Sequence, residues 1–145
     1  MRFLAFVIVL NVIRYVVGGP IEMWTVAEPM HRVMPQYPEV FDADFTTKDF
    51  IISMGYNFML WFSAALVFHL MHPVLSGGMI VKSLKSYAIM WLFFASLAAV
   101  YMNHYTDAVK PFYLYSILDA VIAFTIVALA NGLLYPVFFK PKPTP

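Results

Sequence analysis

The chain has 145 residues, 62% of them hydrophobic and 12% charged, with a formal net charge of +1 and no cysteine. A soluble domain carries roughly 25% charged residues, so this chain lacks the polar surface to face water all round. The small net charge excludes a bulk field for nucleic acid, and the missing cysteines exclude disulfides, thiolate metal sites, iron–sulfur clusters and cysteine nucleophiles.

Four apolar stretches follow one another: about 3–24, 47–72, 82–105 and 111–139. Each is near or above the ~20 residues that cross a bilayer as a helix. In lipid the backbone must satisfy its own hydrogen bonds, so helices are expected rather than open strands. The first stretch has features of a signal peptide, but Arg14 interrupts what would be its apolar centre, so it reads as a retained helix. Gly18-Gly19-Pro20 is expected to end or kink it, because Pro20 cannot donate a backbone bond. Thr46-Thr47-Lys48-Asp49 can form a capping box for the second helix. Ser76-Gly77-Gly78 marks a turn, and Pro111 suits the first turn of the fourth helix.

The charges between the stretches are sorted. Arg2, Lys82, Lys85, Lys140 and Lys142 fall on one side without an acid; Arg32, Lys48 and Lys110 fall on the other among seven acids. Five basic residues against three place the first side, and with it both termini, in the cytoplasm. Short connections make successive helices neighbours. The expected fold is therefore all-α: a single integral membrane domain over 1–145, an antiparallel four-helix bundle with a cytoplasmic tail at 140–145. Residues 25–46 form a long outer loop, too apolar for an idle linker and expected to be partly ordered. A plasma or inner membrane is the expected location. Ser63-Ala64-Ala65, Ala95 with Ala98-Ala99, and Ala120 with Ala123 supply small residues for close helix approach.

Few residues in the apolar stretches carry chemistry. Arg14 lies eleven residues beyond Phe3, about 16 Å along its helix, and Asp119 lies eight beyond Pro111, about 12 Å. In a core ~30 Å thick these depths nearly meet from opposite ends. Either charge alone costs about 2.5–3.5 kcal/mol at mid-membrane, so the expectation is that they pair. Asn57 reaches a similar depth and Glu22 lies above, which completes a polar cluster. One Arg against one Asp is neutral and reads first as structural, since a proton relay needs an unpaired acid.

His69 and His72 share a helix face at i, i+3, with Asn131 at similar depth as an expected partner of His69. With His104 they are the residues a haem or metal would use, although His104 belongs at the opposite membrane face. Met30, His31 and Met34 have the chemistry of a Cu(I) site. Ten methionines in so apolar a chain are more simply packing residues, so neither haem nor copper is expected. No motif joins a nucleophile to a base. The sequence thus leads to a non-catalytic membrane protein, an accessory subunit of a larger complex or a homo-oligomer, with bilayer lipid and other membrane chains as partners. The alternative is a small oligomeric transporter or channel using Arg14, Asn57 and Asp119; a further alternative is a haem- or metal-binding membrane redox protein using His69, His72 and His104.

Overall fold

The computed structural model describes residues 1–41, 46–104, 107 and 109–139. The tail 140–145, the loop acids Asp42 and Asp44, and Tyr105 lie outside them. Among the described residues four helices are long and apolar enough to cross a membrane: α1 Arg2–Gln36, α2 Thr47–Met71, α3 Met79–Met102 and α4 Lys110–Phe138.

The first helix departs most from expectation. It does not end near Trp24, and Gly18-Gly19-Pro20 does not break it. The helical path runs on to Gln36, so residues 25–36 of the expected outer loop are helix. Two wide turns explain this. Arg14–Gly18 and Met23–Ala27 are π-helical, with the Gly19 N–H donating to the Arg14 carbonyl five residues back. Each wide turn lies just before a proline, Pro20 or Pro29. A proline ring clashes with the carbonyl four residues earlier in a regular α-helix. Widening the preceding turn moves that carbonyl aside, so the helix absorbs both prolines. Thr25, within the second wide turn, adds a hydroxyl bond to the Ile21 carbonyl at 2.7 Å.

At about 1.5 Å per residue the 35 residues of α1 span roughly 50 Å, well beyond a ~30 Å hydrocarbon core. The excess carries the exposed Glu28–Arg32 ion pair. The chain turns away at Tyr37, and Phe41 packs on Phe112 at the start of α4, 4.6 Å between rings.

The remaining boundaries follow local chemistry. Thr46 caps α2: its hydroxyl accepts from the Asp49 N–H at 3.3 Å, and the Asp49 carboxylate accepts from the Thr46 N–H at 3.0 Å. Gly77, at φ +109°, makes the turn before α3. Pro111 sits in the first turn of α4. Lys110 donates to Asp107 there and holds that exposed carboxyl below the usual carboxylate range.

The interior is organised around α4. It contributes Ala120, Ala123, Phe124, Val127, Ala128, Ala130, Asn131, Gly132 and Tyr135 to the buried set. Of the most apolar window in α4, 44% is buried, against 17% in α2 and in α3, so the latter two are chiefly outer walls. Helix α3 packs on α4 closely enough that a Cβ on Gly132 would come 2.6 Å from Ile80 Cα. Further along, Ser83 meets Ala128 and Trp91 meets Ile117. Phe3 and Phe6 of α1 pack on Phe139 beyond the other end of α4, while Gly18 faces Ile126. From α2, Trp61 packs tilted against Phe124, and Phe68 meets Tyr135 edge to face. Ala64 and Ala65 are buried as their size suggests, whereas Ala95, Ala98 and Ala99 are half-buried.

Much of the outward surface of the long helices is apolar. On α1, Leu4, Ile8, Val12 and Val16 are exposed at four-residue spacing, opposite the buried Phe6 and Leu10. A helix apolar on all sides belongs in a lipid-like solvent.

Candidate functional site: a charged cluster between α1 and α4

Arg14 and Glu22 both belong to α1. Arg14 Nη2 lies 2.7 Å from Glu22 Oε2, and the two side chains retain 13% and 11% of their exposure. Eight residues separate them. In a regular helix seven residues make about two turns, and the eighth swings off that face. The π-helical turn Arg14–Gly18 takes up one residue more, so Glu22 comes back under Arg14. Gly18, buried between them, would place a Cβ 3.5 Å from Glu22 Oε1 and 3.8 Å from Arg14 Nη1. Those are ordinary contact distances, so a methyl group fits at this point without displacing a neighbour.

The direct partner of Arg14 is thus Glu22, not the expected Asp119. Asp119 is still part of the group: it is half-buried on α4 and interacts electrostatically with both Arg14 and Glu22. One guanidinium is therefore within electrostatic range of two carboxyl groups, and among the described residues it makes an ion-pair contact with Glu22 alone. The bonding is incomplete, because Arg14 Nε and Glu22 Oε1 are buried without a hydrogen-bond partner. Asn57, expected in this cluster, instead donates to the Ser53 carbonyl of its own helix at 3.2 Å.

The histidines occupy the other end of α4. His69 Nδ1 and the Tyr135 hydroxyl share a hydrogen bond of 2.6 Å. Tyr135 thus takes the role expected of Asn131. His72 donates from Nδ1 to the His69 carbonyl at 2.9 Å, and its own carbonyl accepts from Lys82 at 2.8 Å. Phe3, Phe68, Phe139 and Tyr135 crowd the two imidazoles at ring distances of 4.8–5.7 Å. Aromatic rings thus flank both half-buried imidazoles. His104 is exposed at the far end of α3. Met30 and Met34 are half-buried one turn apart, while His31 points to another, exposed face. Among the described residues no group of three or more His, Cys, Asp or Glu is placed to hold a metal ion.

Asn131 is fully buried in a network that sequence reasoning missed. Its amide donates to Ser83 Oγ at 2.9 Å, Ser83 donates to the Ala128 carbonyl at 2.8 Å, and Tyr87 donates to Asn131 Oδ1 at 3.4 Å. The signal was present as Ser83 and Tyr87, at i and i+4 on one face of α3. It was hidden because serine and tyrosine are unremarkable in apolar helices. No family model matches the chain, and no curated protein or solved structure matches it.

Proposed function

We propose that this chain is a small non-catalytic membrane protein that takes up and releases a proton at Glu22 and Asp119 beside Arg14. In this reading it works as an oligomeric transporter or channel in a plasma or inner membrane. The bundle is antiparallel with both termini cytoplasmic. The charge sorting supports that orientation, and the order of contacts supports the packing: the start of α1 and of α3 each meet the end of α4.

The observation that carries the proposal is the second carboxyl. With both acids ionised the cluster holds one negative charge in excess, in surroundings where an uncompensated charge is costly. One proton shared between Glu22 and Asp119 makes it neutral. The unpartnered Glu22 Oε1 is an oxygen placed to receive that proton. Four helices leave little room for a path within one copy, so the transport form requires at least two.

The test is reconstitution into liposomes that contain a pH-sensitive dye, followed by an imposed potassium diffusion potential. Wild-type protein should acidify the lumen, and Asp119→Asn should abolish this while remaining folded. Absence of flux in every oligomeric form would reject transport. The accessory-subunit reading would then stand in its place, favoured by the outward apolar walls of α2 and α3.

A further inference from the structure

A second feature lies away from the charged cluster. Between α2 and α3 there is an apolar groove of about 560 Å³, walled by Ser63 and Val67 on α2 and by Ile89, Phe93 and Leu97 on α3. Its α3 wall, Ile89 to Leu97, is about 12 Å long, close to the ~15 Å hydrocarbon depth of a single leaflet. Continuing down the same helix face at i, i+3 and i+4 spacing come Lys85 and Lys82. Lys85 is about 6 Å below Ile89 along the helix axis.

The two ammonium groups are held over the turn that joins α2 and α3. Lys82 donates to the His72 carbonyl at 2.8 Å; Lys85 donates to Ser76 O at 3.1 Å and to Ser76 Oγ at 3.0 Å. All of these acceptors are neutral, and neither lysine belongs to a salt bridge among the described residues. An ammonium has three protons to donate, so both keep donor capacity. The first turn of α3 beside them contains no acid, and Gly78 offers no side-chain cap. An apolar slot about one leaflet long, with two uncompensated cations one to two turns below it on the same helix face, is complementary to an acyl chain joined to a phosphate.

We propose that this groove binds one anionic phospholipid, with an acyl chain along Ile89, Phe93 and Leu97 and its phosphate at Lys82 and Lys85. Head-group attraction and chain burial act together. Removing the lysine charges weakens selectivity for anionic lipid, and filling the slot weakens retention of any lipid.

The test uses the full chain in detergent, exposed to phosphatidylglycerol or phosphatidylcholine and examined by native mass spectrometry. Wild-type protein should retain one phosphatidylglycerol, with a preference over phosphatidylcholine on the order of tenfold. The double variant Lys82→Gln/Lys85→Gln should lose that preference. Ser63→Phe, at an exposed position in the slot, should lose both lipids while keeping its helical content and elution volume. Equal retention of the two lipids, or retention unchanged in Ser63→Phe, would overturn the proposal. So would a dimer that Ser63→Phe dissociates, because a second copy would then occupy the groove.

Discussion

At the residue scale, the balance of one cation against two acids makes the three members of the cluster unequal. Arg14→Leu leaves two carboxyls without a cation and should cost about 3–5 kcal/mol, the range for stripping a buried charge of its partner. Glu22→Gln removes the direct partner but leaves Asp119 nearby, so a smaller loss is expected. Asp119→Asn keeps the 2.7 Å ion pair and should leave stability close to wild type. Thermal unfolding in one detergent would rank the three. If Asp119→Asn proved as damaging as Arg14→Leu, Asp119 would be a structural partner and not the surplus acid. Arg14 and Asp119 were legible in the sequence because a charge deep in an apolar stretch stands out. The pairing of Arg14 with Glu22 was not, since eight residues is the wrong spacing until a wide turn corrects it.

At the element scale, the two buried glycines of the bundle should behave oppositely. Gly132→Ala drives a Cβ to within 2.6 Å of the Ile80 backbone and should cost about 1–3 kcal/mol by forcing α3 and α4 apart. Gly18→Ala meets ordinary contacts and exchanges a poor helix former for the best, so it should be neutral or stabilising by up to about 1 kcal/mol. Equal destabilisation by both would contradict the close crossing at Gly132. Asn131→Ala should cost about 1–3 kcal/mol by leaving the buried Tyr87 hydroxyl without its acceptor, while Ser83 keeps its bond to the Ala128 carbonyl. Helix limits were readable wherever one residue type dictates them: the Thr46–Asp49 box, the Ser76-Gly77-Gly78 turn and Pro111. The length of α1 was not readable. Pro20 and Pro29 ordinarily stop a helix, and here π-helical turns accommodate them.

At the scale of the whole molecule, the surface asks for lipid on the flanks of all four helices, and α4 holds the others together. Sidedness is open to a clean test because the chain has no native cysteine. Ser76→Cys and Gln36→Cys lie at opposite ends of the bundle in the proposed topology. A membrane-impermeant thiol reagent should label Gln36→Cys from outside intact cells and Ser76→Cys only after the cells are opened. Labelling of both from outside would contradict the arrangement. Composition and hydropathy alone made the number of spans legible. How the charges distribute inside them depends on packing around α4, and no local pattern encodes that.

The most direct measurement is difference infrared spectroscopy of the reconstituted protein across neutral pH, in the carboxylic acid C=O stretching region. The account predicts one band from a protonated carboxyl in wild type that fades as pH rises and is absent in Asp119→Asn. Absence of that band in wild type, or its persistence unchanged in both Glu22→Gln and Asp119→Asn, would contradict a proton held beside Arg14.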